Sequence, residues 1–370
     1  MSETDFFLYV DALKWYKQIF DRRQVSPLKG KKWLLIFTVS AAVVLSACTK
    51  ERVPEKGSES PAENKPEAVE KPSYPFPLTG LLSEEKPNHR AIAVMINNHP
   101  KARPQSGLQK ADVVIEALAE GGITRFLAVF QSEFPERIGP VRSARDYYIR
   151  LAKGFDGLFV FHGWSPEAKK LIESQYIDSL NGLFYDGTLF QRVAFRQAPH
   201  NSYISYKNIL KGAEKAGCDL DTPPAPYRFL SGGETVEGED VRSVAVSYST
   251  DDFLVRYEYD PAAEKYKRYS GGAQTVDYDT GDPVLLDNVL IVEMDHAPLN
   301  DGSGRIAIDL ESGGRGYLLQ KGKMRKIRWE NVNGRIVPYD GTEQARLVPG
   351  KTWINIVPAP MENVLSVPAQ

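Results

Sequence analysis

Ala91-Ile92-Ala93-Val94-Met95-Ile96 is an unbroken apolar run of strand length. Two more follow it, Asp112 to Leu118 and Ile123 to Phe130, joined by Glu120-Gly121-Gly122. Short runs of this kind read as buried strands. Between the first and second lies a polar loop, Asn97 to Lys110, with two prolines and a glycine. Downstream, Gly139-Pro140-Val141-Arg142-Ser143-Ala144-Arg145-Asp146 places Ser143 and Asp146 at capping-box spacing, which predicts a helix over Ala144–Lys153. Leu158 to Phe161 is again strand-like. Ser165-Pro166-Glu167 is an N-cap followed by proline at the first helical position, opening a helix to about Ser174. A third helix is expected from about Tyr206 to Ala216. Strands alternating with helices define an α/β domain, placed at residues 78–221.

Past the proline-rich break at Thr222–Pro226 the pattern changes. Val241-Val244-Val246-Tyr248 and Phe253-Val255-Tyr257-Tyr259 alternate with a period of two. Turn signals recur at Asp260-Pro261, Gly271-Gly272, Asn333-Gly334 and Asp340-Gly341. This reads as a β-rich, mostly antiparallel domain over residues 236–360, with Lys351 to Val357 as its closing strand.

Upstream, Trp33 to Leu45 is a run of about 13 apolar or small residues, preceded by Lys29, Lys31 and Lys32. It falls short of the ~20 residues a spanning helix needs and fits a signal-peptide core. It ends in Leu45-Ser46-Ala47-Cys48, similar to a bacterial lipobox, which makes Cys48 the expected lipidation site and residues 1–48 extension plus signal peptide. Residues 49–77 carry six prolines with many Glu and Lys, the composition of a flexible tether that cannot offset its ordering entropy. Met1 to Leu28, with mixed charges and apolar residues at roughly helical spacing, is either an artefact of start-codon choice or a cytoplasmic extension lost on processing. The expected location is the outer face of the cytoplasmic membrane.

The chain has 370 residues, 42 % hydrophobic and 25 % charged, with a net charge of −2, which argues against a wholly disordered chain and gives no global reason to expect nucleic-acid binding. Two cysteines and five histidines exclude a disulfide-dense scaffold and leave little for a metal site; no metal or cofactor is expected. No Gly-x-Ser-x-Gly elbow, His-Glu-x-x-His motif or Walker loop is present.

Several stretches together resemble the YerB-like lipoproteins of Gram-positive bacteria. They are Ala93 to Asn98, Arg103 to Leu108, Glu120 to Phe126, Gly139 to Arg145, His200-Asn201-Ser202-Tyr203 and Pro349 to Ile354. The resemblance covers about Leu78 to Pro358. It implies a lipid anchor, an α/β N-terminal domain and a β-rich C-terminal domain, in a family of unknown function with no catalytic residues to carry over. The Met1 to Leu28 extension lies outside its pattern.

Candidate site residues cluster around these motifs. Arg142 and Arg145 flank an expected helix N-terminus, with Arg137 close by in sequence and Arg125 on the preceding strand; guanidinium forks there suit a phosphate or carboxylate. The competing reading is ion pairing with Glu116, Glu120, Glu133, Glu136 or Asp146. Asn97 and Arg103 sit in the loop after a buried strand, where α/β sheets hold ligands. The expected role is non-catalytic binding of an anionic envelope component (a phosphate-bearing polymer, lipid-linked precursor or peptide carboxylate) or of a partner protein. The alternative is an envelope hydrolase or transferase with His162, His200, Glu116 or Glu120 as acid or base. A purely structural scaffold is the third reading. Cys218 reads as buried or incidental. Aromatics such as Tyr147, Tyr148, Trp164, Tyr257, Tyr266, Trp329 and Trp353 are candidate glycan platforms, although on strands such residues more often form core.

Overall fold

The computed structural model describes residues 73–367. The expected signal peptide, Cys48 and most of the expected tether lie outside the described residues. The described residues open, a few positions ahead of Leu78, with a hairpin of β1 (Tyr74–Pro75) and β2 (Leu82–Ser83). Leu78 within it is buried, and its Pro77 and Thr79 carbonyls accept from the Tyr227 and Gly350 amides.

The first half then builds β3 (Ile92–Asn97), β4 (Val113–Leu118), β5 (Thr124–Phe130), α1 (Asp146–Gly154), β6 (Leu158–Phe161), α2 (Pro166–Glu173), β7 (Ser179–Asn181), the short α3 (Gly182–Tyr185), the ribbon β8 (Phe190–Arg192) and β9 (Ser202–Ile204), and α4 (Tyr206–Ala216). The second half is strand-rich. It holds β10 (Glu239–Asp240), β11 (Ser243–Ser247), β12 (Leu254–Asp260), β13 (Lys265–Ser270), β14 (Ala273–Gln274), β15 (Leu285–Leu286), β16 (Asn288–Met294), β17 (His296–Pro298) and β18 (Ile306–Ile308). It ends with β19 (Gly314–Gln320), β20 (Lys323–Val332), β21 (Arg335–Asp340), β22 (Glu343–Gln344), β23 (Thr352–Pro358) and β24 (Leu365–Ser366). An α/β first half and a β-rich, mostly antiparallel second half are thus both present.

The two halves share one 12-stranded sheet, ordered β22-β21-β20-β19-β16-β23-β4-β5-β3-β6-β7, with β10 added alongside β20. Strand β23 corrects an expectation. It closes no edge: it lies between β16 and β4, parallel to both. Its composition explains the position, because Trp353 and Val357 enter one core while Ile354 and Ile356 enter the other. A strand apolar on both faces belongs inside a covered sheet. β3 has the same character, with Ile92, Val94 and Ile96 on one side and Ala93 and Met95 on the other. On the first side packs a six-stranded sheet, β14-β13-β12-β11-β24 with β15, through Val244, Val246, Val255 and Tyr257, together with Ile209 and Ala213 of α4. On the second pack α1 and α2, through Tyr147, Tyr148, Leu151, Ala168 and Ile172. Tyr147, Tyr148, Tyr257, Tyr266, Trp329 and Trp353 are therefore core and not glycan platforms. Cys218 is half-buried against the first core.

Helix α1 begins two residues later than its sequence suggests. Its N-cap position is Arg145, which makes no side-chain capping bond, and Asp146 provides the negative charge that the helix end favours. The Ser143 hydroxyl instead donates to the His162 carbonyl at 3.1 Å, tying the approach to α1 onto the end of β6. Ser165 does cap α2, accepting from the Ala168 amide at 3.2 Å.

Candidate functional site

β3, β6 and β7 run parallel, so their C-terminal ends share one edge of the sheet. β5 is antiparallel to β3 and brings Arg125, at its N-terminal end, opposite Asn97. Most of the polar residues singled out from sequence meet at this edge. Their states differ.

Arg125 and Arg145 both bind Glu120. Arg125 Nη2 lies 2.9 Å from Glu120 Oε2, and Arg145 Nε contacts Oε1. Each also donates through Nη1 to a carbonyl at 2.6 Å, Arg125 to Ser143 and Arg145 to Ala144. Burial opposes ionisation of Glu120, but the hydrogen bond from Arg145 and the charges of both arginines hold its carboxyl below the usual range. Burial lowers the Arg125 guanidinium to about 10. This trio fixes the corner between the β4–β5 turn and α1. Arg103 is equally committed: it donates to Asn98 and to the Asp252 carbonyl, and packs 5.0 Å over the Phe253 ring. Glu116 is fully buried, accepting from Thr124, Asn98, Arg268 and Trp353. No substrate can reach it in this arrangement. Arg137 lies elsewhere, bound to Asp279.

Arg142 is different. Its backbone is clamped between strand ends, its amide donating to the Met95 carbonyl at 2.9 Å and its carbonyl accepting from the His162 amide at 3.0 Å. Its half-buried guanidinium has no hydrogen bond or ion pair among the described residues. Burial lowers its pKa, and Arg145 and Arg192 add repulsion that Glu120 only partly offsets.

Three imidazoles, those of His99, His162 and His200, lie near enough to feel its charge, and hydrogen bonding assigns the tautomer of each. Asn97 Oδ1 accepts from the His99 amide at 3.0 Å, so its Nδ2 donates to His200 Nδ1 at 2.9 Å. The His200 proton therefore sits on Nε2. His99 Nδ1 accepts from the Lys101 amide at 3.1 Å, which leaves its proton on Nε2 as well. The two rings lie 4.6 Å apart between centroids. At His162, Arg192 can only donate, so Nε2 accepts at 3.0 Å and Nδ1–H donates to Ser202 Oγ at 2.8 Å. In this state His162 has no lone pair with which to activate Ser202. Gly182 makes room for the ring, because a Cβ there would collide with it. Burial, followed by the Arg192 charge, pushes His162 down to about 4, and burial lowers His99 and His200 too. At neutral pH the edge therefore offers the Arg142 guanidinium and the imidazole N–H groups of His99 and His200, none of which has a hydrogen-bond partner among the described residues.

Arg192 itself is saturated by Asp186 and Asn201. The sequence offered no reason to place it here, since it arrives on the β8–β9 ribbon. Among the described residues no group of His, Cys, Asp and Glu side chains is placed to hold a metal ion.

A sheet shared by an α/β half and a β-rich half, with a donor-lined strand edge, defines a two-part mixed-sheet protein. The chain belongs to the DUF3048 family, a family of unknown function, whose N-terminal domain matches residues 78–219 and whose C-terminal domain matches residues 244–354. It is 48 % identical over 333 residues to YerB of Bacillus subtilis (strain 168), which its name describes as a candidate lipoprotein; the match spans 89 % of this chain and 96 % of that one. The crystal structure of the YerB protein from Bacillus subtilis superposes with a TM-score of 0.75 at 51 % identity, covering 80 % of this chain and 99 % of that chain. The resemblance seen in the motifs is thus borne out. Among the described residues no helix is long and apolar enough to cross a membrane.

Proposed function

We propose that this protein is a lipid-anchored, extracytoplasmic binding protein that captures an oxyanion, the phosphate or carboxylate of an envelope component, at the edge formed by Arg142, His99 and His200. The observation that carries this reading is the Arg142 guanidinium. It is half-buried with no ion pair or hydrogen bond of its own among the described residues, and Glu120, already shared by Arg125 and Arg145, offsets its charge only in part. A buried cation is ordinarily paired, and an anionic ligand would complete this one. Binding is favoured over catalysis because Glu116 is enclosed, Glu120 is saturated and the acceptor nitrogen of His162 is occupied by Arg192. Anchoring rests on the lipobox-like Leu45-Ser46-Ala47-Cys48 and on the name of the Bacillus relative.

Thermal melts of the full chain with and without millimolar pyrophosphate test the site. The wild type is expected to gain stability with the anion, as mass action requires for any ligand of the folded state. Arg142→Gln is expected to lose that gain while its own melting point stays level or rises, since it removes a charge that is offset only in part. A wild type indifferent to anions, together with a strongly destabilised Arg142→Gln, would sink the proposal. The anchor is tested separately: Cys48→Ala should abolish metabolic labelling with fatty acid, and persistent labelling would refute it.

A further inference from the structure

The β8–β9 ribbon has a second face. Arg192 lies opposite Ser202 across the ribbon, and both touch His162; Gln191 lies opposite Tyr203, and both line a cleft of about 670 Å3. None of Arg142, His99, His162 and His200 lines the cleft, so the cleft and the Arg142 edge are separate. Its size falls within the range of small-ligand sites, about 300–1,000 Å3.

Its chemistry is unlike that of the edge. Two of the cleft's three carboxylates already have partners within it. Arg137 is bound to Asp279, and Asp277 accepts from the amides of Gly107, Asp279 and Thr280. With Glu136 the carboxylates outnumber Lys110 and Arg137, so a phosphate is not favoured. What remains is a set of amide oxygens lacking donors. Asn208 spends its Nδ2 on the Leu189 carbonyl at 2.8 Å, and Gln191 spends its Nε2 on the Thr188 carbonyl at 3.1 Å. Neither side-chain oxygen has a donor among the described residues, and the Gln109 Oε1 is buried without one. Unpaired acceptors in a concave site call for a ligand rich in O–H and N–H groups. Pro135, Val193 and Ile204 supply apolar wall between them, which suits a methyl group or the C–H face of a sugar ring. We infer that this cleft binds an uncharged acetamido saccharide, independently of the anion edge.

Isothermal titration of the full chain in detergent with chitotetraose tests this. Saturable binding is expected. Gln191→Trp fills the cleft from an exposed position and should weaken binding by about tenfold or more, the equivalent of ~1.4 kcal/mol. Asn208→Ala should weaken it severalfold, and Arg142→Gln should leave it unchanged, with no competition from pyrophosphate. Because Asn208→Ala also loses the bond to Leu189, Gln191→Trp decides the question if the alanine variant does not fold. The inference is overturned if the wild type does not bind, if Gln191→Trp binds as the wild type does, or if Arg142→Gln abolishes binding.

Discussion

Arg142 and Arg145 are three positions apart and differ in every property that matters for a site. Arg145 shares Glu120 with Arg125, while Arg142 faces imidazoles that are held neutral. The sequence marked both arginines equally, because which of them Glu120 satisfies is decided by the turn between β4 and β5 and not by spacing. Asn97, His162 and His200 were legible as candidates; the orientation of each ring was not, since it depends on Asn97, Lys101 and Arg192 meeting in space. The histidines make the site sensitive to acid. In an unfolded chain an imidazole takes up a proton below about 6.5, whereas folded His162 does so only below about 4. Between these values the unfolded state binds more protons, so the stability from His162 is complete above pH 6.5 and is lost as pH falls toward 4. Its size is of the order of 2–3 kcal/mol. Asp112, whose carboxyl burial pushes up to about 6, acts in the opposite sense over much of this window. Urea melts at pH 4.5 and 7 should therefore show a smaller loss on acidification for His162→Gln than for the wild type; equal losses would show that the ring is not held neutral.

The secondary structure was readable wherever local chemistry decided it. Ser165-Pro166 opens α2 as its residues imply, and α4 spans Tyr206–Ala216 with Ser205 as its cap. Ser143 carried the same kind of signal but serves another element, because the β6 end lies within its reach and its hydroxyl is used there. The two serines should separate by experiment. Ser165→Ala should cost about 1 kcal/mol, a typical cap loss. Ser143→Ala should instead disturb the Arg142–His162 edge and weaken the pyrophosphate-induced shift. An intact anion response in Ser143→Ala would mean that this strap does not position the edge. Strand β23 was recognised as a strand from its composition. Its place between β16 and β4 was not, since parallel pairing over more than 200 residues of sequence separation leaves no local trace.

At the scale of the molecule the halves are joined by a buried ion pair. Arg268 on β13 lies 2.7 Å from Glu116 on β4, both essentially unexposed, with the guanidinium 4.4 Å over the Trp353 ring of β23. Removing one partner strands the other charge, so Glu116→Gln should cost about 3–5 kcal/mol in urea unfolding. Adding Arg268→Met should recover much of that loss; no recovery would mean that the pair is replaceable only as a whole network with Trp353, Thr124 and Asn98. Strand β23 has a further consequence, one of timing. The strand that joins the two halves follows every other strand of the 12-stranded sheet in the sequence. Until it arrives, β4 and β16 each lack one of their two neighbours, and the sheet cannot be completed. Placing the keystone strand after all the others keeps the sheet open until every other strand of it has been made.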